Sequence, residues 1–159
     1  MSAAPDILIA TTSASSPEAL LLQDELSSVL QGISGDSGRA SFDADAPDAR
    51  GGFYLAKNGA GQLLGCAALR PLGEPNSATA ELKRMYARPG SAGVGAALLL
   101  HAEAEALRLG YRAVVLSTRV INTRAVAFYG KHGYTPVAPW GKYVGAAQSI
   151  CLGKILSRG

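Results

Sequence analysis

The spacing of apolar and polar positions changes several times along the chain, and each change marks an element. DILIATT (6–12) predicts a strand. SSPEALLLQDELSSVL (15–30) carries leucines at helical spacing, with Ser16 placed to cap the helix and Pro17 in its first turn. The Gly-, Asp- and Pro-rich stretch 31–52 predicts either a substrate-facing loop or one hiding a short helix. FYLAKNGAGQLLGCAALRPL (53–72) predicts a hairpin turning at NGAG, and SATAELKRMYAR (77–88) a further strand. From Gly93 to about Leu109, Leu98, Leu99, Ala102, Ala106 and Leu109 share one helical face, while His101, Glu105 and Arg108 line another. Gly110 stops that helix, and RAVVLST (112–118) follows as a nearly all-apolar strand. Strand–helix–strand order makes it parallel to the strand before. NTRAVAFYGKHG (122–133) predicts a helix capped by Asn122 and ended by Gly133. YTPVAP (134–139) and AAQSICLGKIL (146–156) predict a closing pair of strands around WGKYVG. This order predicts an α/β fold in one domain, 1–159, with a mixed, mostly antiparallel sheet, a central parallel β-α-β pair and helices on both faces.

Composition narrows the partners. With 48% hydrophobic and 17% charged residues the chain reads as soluble and globular. The net charge of +3 comes from basic residues dispersed along the sequence, so nucleic acid is not an expected partner and a small anionic ligand fits better. The N-terminus has neither a basic flank nor a long apolar segment, which predicts no membrane partner and a cytoplasmic setting. Cys66 and Cys151 lie in apolar strands without CxxC spacing and read as buried, reduced thiols. His101 and His132 lack metal-ligand spacing, so no metal is expected.

One stretch needs a special explanation. In RMYARPGSAGVGAALL (84–99), glycines open a helix that they would ordinarily weaken. A helix start offers unpaired N–H groups and partial positive charge, and a bare backbone lets a phosphate approach them. A nucleoside-triphosphate loop is excluded, because Ala96 and Ala97 stand where Lys and Ser/Thr would be required. A dinucleotide fingerprint lacks its third glycine and its acidic partner. A ligand-free tight turn and a diphosphate cradle both remain.

AELKRMYARPGSAGVGAALL, followed by NTRAVAFYGKHGY, resembles the GNAT superfamily of acyl-CoA-dependent N-acetyltransferases. Asn122, Ala125, Phe128, Tyr129, Gly133 and Tyr134 match the family's second pattern. The resemblance implies a GNAT-like fold and acetyl-CoA as cosubstrate, its diphosphate held by main-chain groups from Ala92, Gly93, Val94, Gly95 and Ala96. Met85, Tyr86 and Ala87 are implied as main-chain contacts to the pantetheine arm, with Asn122, Ala125 and Phe128 nearby. Gly90 occupies a position where the family usually has Arg or Gln, and Arg88 is the side chain placed to replace it.

The chemistry this implies is direct acetyl transfer to a primary amine of a small molecule or amino acid. A peptide or protein acceptor, or a non-catalytic acyl-CoA sensor, stays open. The amine must shed its proton to attack, and Glu81 matches a glutamate that acts as base in some relatives; it reads equally as an ion-paired strand carboxylate beside Lys83 and Arg84. Tyr129 matches the tyrosine that protonates the leaving thiolate, though an aromatic at that position also serves packing. Phe42, Lys83, Trp140 and Tyr143, with Lys142, are expected around the acceptor. Arg124 and Lys131 read as a solvated helix face. Family members are often dimers, so a second copy is an implied partner.

Overall fold

A computed structural model describes residues 6–42 and 50–157. Along the chain lie β1 (Leu8–Thr12), α1 (Pro17–Ser34), a 3-10 turn (Arg39–Ser41), β2 (Gly52–Lys57), β3 (Leu63–Pro71) and β4 (Thr79–Ala87). Then follow α2 (Val94–Arg108), β5 (Ala113–Arg119), α3 (Thr123–Lys131), β6 (Thr135–Pro136), a second 3-10 turn (Gly141–Tyr143) and β7 (Ser149–Ile155). The short helix allowed for in 31–52 is the first 3-10 turn; the rest of that expectation, at 43–49, lies outside the described residues.

Local chemistry explains the boundaries. Ser16 caps α1 by accepting from the Ala19 N–H, Pro17 sits in the first turn, and Gly35 ends the helix at φ 78°. The helix runs four residues past the predicted Leu30, because Gly32 alone does not stop it. In the β2–β3 turn only Gly61 takes positive φ, and Asn58 accepts from Ala60 and Gln62 instead of turning left-handed itself.

The strands form one sheet in the order β1-β2-β3-β4-β5-β7-β6. Every neighbouring pair is antiparallel except β4 and β5, so the expected mixed sheet with one central parallel pair is what forms. Alternation along the strands feeds two cores. Ala80 and Leu82 of β4 join Val94, Leu98, Leu99 and Ala102 of α2, with Tyr129 and Tyr134, on one face. Phe53, Leu55, Cys66, Ala68 and Tyr86 pack against Ala19, Leu22 and Leu26 of α1 on the other. Burying each of these leucines contributes about 1.5–3 kcal/mol.

The parallel pairing is short. β4 meets β5 only at Thr79–Glu81 with Ala113–Val115, while β7 pairs with β5 along its whole length. Between Cys66 and Ala68 the β3–β4 register slips, and Arg84 takes φ 52°. A bulge bends and overtwists its strand. Beyond Glu81, β4 therefore leaves a β5 held straight by β7, and a cleft opens between them.

Candidate active site

The cleft has a volume of about 290 Å³ and is walled by Leu82–Met85 of β4, Leu116–Arg119 of β5, and Asn122, Ala125 and Tyr129 from the start and body of α3. Arg88 N–H bonds Leu64 O across to β3, and Tyr86 pairs with Cys66. Main-chain direction alternates along a strand, so Met85 and Ala87 face the opened side and Tyr86 does not. Tyr86 is a correction to the expected pantetheine contacts: its main chain serves the β3 ladder, and its hydroxyl donates to Glu25 at 3.0 Å on the α1 side.

At the start of α2 the expected donors separate into two kinds. Gly93 is the N-cap at φ 81°, a conformation that costs a residue with Cβ about 1–2 kcal/mol. The N–H groups of Ala92, Gly93, Gly95 and Ala96 find no main-chain acceptor among the described residues. Val94 corrects the expectation: its N–H bonds Ser91 O at 3.3 Å and its side chain is buried in the α2 core. Gly95 has a packing reason as well, since a Cβ there would lie 3.4 Å from the Phe128 ring. Phe128 packs against Gly95 and His132 and does not line the cleft.

Arg88 is engaged by a carboxylate. Its guanidinium forks onto Glu25, with Nε–Oε1 at 3.0 Å and Nη2–Oε2 at 2.7 Å, and Nη1 donates to Leu63 O. That fork holds the Glu25 carboxyl below its usual range and engages the side chain that was to stand in for Gly90. The groups left unpaired near the glycine turn are main-chain N–H groups.

On the cleft wall Asn122 caps α3 through Ala125 N–H. Adjacent helical positions diverge by about 100°, so Tyr129 turns inward where Phe128 does not. Its residue is buried, and burial raises the phenol pKa far above its ordinary value. No described residue hydrogen-bonds the hydroxyl of Tyr129, which leaves it free to donate within the cleft.

A second cavity, about 520 Å³, adjoins the first and shares Lys83, Lys142 and Tyr143 with it. Phe42, Lys83, Trp140 and Tyr143 all line it, so the residues expected around an acceptor come together although they span three parts of the sequence. Lys83 Nζ lies 3.2 Å from the Tyr143 hydroxyl, between the two cavities, and Trp140 meets Tyr143 edge to face. Glu81 lies buried at the wall of this cavity. Arg70 Nε donates to one of its oxygens at 2.9 Å and Lys83 Nζ lies 3.5 Å from the other. The neighbouring Arg84 points to α1 instead.

Arg70, which joins this cavity, was missed by sequence reasoning; its signal was the hairpin register that sets it opposite Glu81. Asp36 and Arg119, ion-paired at the mouth of the first cleft, left no local signal. Arg124 and Lys131 are exposed, as a solvated face requires. Cys66 and Cys151 are buried and free, and burial raises the Cys66 thiol to about 12. No helix among the described residues is long and apolar enough to cross a membrane.

A parted strand pair with a buried tyrosine on the third wall fits what the resemblance implies. Residues 21–134 match the model of the acetyltransferase (GNAT) family, and the chain belongs to that family. It is 31% identical over 112 residues, 69% of its own length and 70% of the relative's, to a protein of Azospirillum brasilense named IAA acetyltransferase. Among solved structures, a GNAT acetyltransferase of Staphylococcus aureus superposes with a TM-score of 0.74 at 17% identity, covering 96% of this chain and all of that one (100%). A GNAT acetyltransferase of Elizabethkingia anophelis with acetyl-CoA bound superposes at 0.67 and 20% identity, covering 94% and 98%. The chain is thus an acyltransferase with the GNAT fold.

Proposed function

We propose that this chain moves an acetyl group from acetyl-CoA directly onto the primary amine of a small molecule, with an amine that also carries a carboxylate as the preferred kind. Three features support this reading: unpaired main-chain N–H groups at the start of α2, a cleft walled by parted strands and a buried tyrosine, and an adjoining cavity of cations and aromatic rings that shares Lys83, Lys142 and Tyr143 with that cleft. A diphosphate suits the first, and a carboxylate-bearing amine the last. The Azospirillum brasilense relative, by its name, also acts on a small molecule.

The reaction is written in one addition and one collapse. The amine nitrogen attacks the thioester carbonyl carbon, charge gathers on the carbonyl oxygen near the Met85 N–H, and the C–S bond breaks as the amide forms. Glu81 takes the amine proton, directly or through water, using the lone pairs that Arg70 and Lys83 leave open. Tyr129 donates a proton to the departing sulfur; its raised pKa keeps the hydroxyl protonated throughout the working range. Activity accordingly rises with pH as the amine loses its proton and shows no fall through Tyr129 below about pH 10.

Thiol release from acetyl-CoA, measured against amines, amino acids, polyamines and peptides, tests the reading. Turnover with a small carboxylate-bearing amine is expected, and Tyr129→Phe should lower kcat at least ~10-fold with CoA affinity within ~2-fold of wild type. Tight CoA binding without turnover by any acceptor would favour a sensor, and turnover with peptides alone a protein acetyltransferase.

A further inference from the structure

Arg84 carries a combination of features that packing alone does not require. It is the non-glycine residue with positive φ among those described, 52°, and it stands where the β3–β4 register slips. Its side chain is buried, yet no carboxylate lies within ion-pair distance among the described residues, and burial lowers the guanidinium pKa. Burying a charge without a counter-charge is costly unless neutral acceptors surround it. Here Nη2 donates to Gln23 O at 2.7 Å and to Ser27 Oγ at 2.6 Å, both on α1, and Nη1 donates to Ser37 O at 3.2 Å just beyond that helix. Nε has no acceptor. Gly38, at φ 73°, leaves room for this contact, because a Cβ there would stand 3.3 Å from Nη1.

The main chain of the same residue is tied from the other side. Cys66 Sγ donates to Arg84 O at 3.3 Å, from within the α1 core. A trans peptide points its N–H away from its C=O. With the Arg84 carbonyl held toward Cys66, the Met85 N–H is turned to the opened side of β4, where Met85 lines the cleft.

Resting on the acetyl-transfer reading above, we propose that Arg84 is a positioning residue: its buried guanidinium, fastened to α1 and Ser37, locks the β4 bulge so that the Met85 N–H meets the thioester carbonyl. Cys66 holds the carbonyl end of the same peptide. Arg84 lies in the cleft wall with its guanidinium bonded to α1 and Ser37; it acts by orienting one N–H and by fixing the segment at Ser37, next to the cleft-lining Gly38.

The test compares wild type with Arg84→Met, Arg84→Lys and Cys66→Ala, using protein whose folded fraction is measured by thermal melting. The first readout is the 13C resonance of [1-13C]acetyl-CoA bound to each, which needs no acceptor. In wild type it should move downfield of the free thioester, in Arg84→Met return most of the way, and in Arg84→Lys and Cys66→Ala lie between. The second readout is kinetic: kcat per folded molecule should fall at least ~10-fold in Arg84→Met, with CoA affinity and acceptor KM changed less than ~3-fold and partial rescue by Lys. An unshifted resonance in wild type, or an Arg84→Met enzyme with the wild-type shift and kcat, overturns the proposal while leaving acetyl transfer standing. Binding of the thioester with the expected shifts but no turnover upholds the positioning role and removes the catalytic reading. Failure of wild type to bind the thioester removes both.

Discussion

The two ends of the proposed site are built from different materials. The nucleotide end is main chain: Ala92, Gly93, Gly95 and Ala96 offer N–H groups, while the nearby Arg88 is turned away onto Glu25. The acceptor end is side chain: Glu81, Arg70, Lys83, Tyr143 and Trp140 meet across a cavity that no single element supplies. A main-chain site needs only the right φ and ψ, so it tolerates most side chains and binds whatever presents a diphosphate. A site of side chains is specific to its residues, and so to one class of acceptor. The proposed site thus separates a general function from a particular one.

The largest effects should come from breaking the main-chain end through its backbone. Gly93→Val places a β-branched residue at φ 81°, which forces the turn out of shape and displaces the unpaired N–H groups. CoA affinity, measured by calorimetry, should fall ~10- to 100-fold. Ala92→Ser changes only an exposed side chain and should leave affinity within ~2-fold. Equal losses in the two variants would mean that side chains, not backbone shape, make this end.

The acceptor end should respond in the opposite sense. Lys83→Met removes a buried charge that lies between Glu81 and the Tyr143 hydroxyl. A hydrogen bond to a charged group contributes about 1.5–3 kcal/mol, so acceptor KM should rise ~10-fold or more while CoA affinity holds. Trp140→Leu keeps an apolar wall and loses its edge contact with Tyr143, a smaller change of a few-fold in KM. If either variant weakened CoA binding as much as acceptor binding, the two ends would not be separable.

The same division decides what could be read from the sequence. The glycine turn, the Ser16 and Asn122 caps and the strand–helix–strand order are local, because each rests on residues within one turn or one periodic segment. The family resemblance lies in those same segments, which is why the fold was legible. The side-chain pairs at either end are not local: Lys83 and Tyr143 at the acceptor end are 60 residues apart, and Arg88 and Glu25 near the other are 63. No periodicity records such a meeting. Glu81 illustrates the limit, since its position on β4 was readable but Arg70 faces it only through the hairpin register. The direction of Arg84 depends on a bulge that sequence alternation does not reveal. Phe128 shows a related limit: the motif names the residue, but only the approach of Gly95 shows what it packs against.

The smallest expected effect bears on Arg88. The Glu25 carboxyl is held below its ordinary range mainly by the Arg88 hydrogen bonds, so the pair contributes stability above the usual carboxylate range. That contribution is lost as pH falls through and below the range, because protonating Glu25 removes the charge that the guanidinium grips. Both side chains are about a third exposed, 32% and 31%, so solvent screening holds the pair to about 1 kcal/mol or less. Glu25→Gln should therefore lower the melting temperature by about 2–4 °C or less at pH 7, and the difference from wild type should vanish near pH 3. Arg88→Met should show the same neutral-pH loss with CoA affinity unchanged. A clear fall in CoA affinity for Arg88→Met would mean that the guanidinium leaves Glu25 for the diphosphate when the carrier binds, and that the nucleotide end is not made of main chain alone.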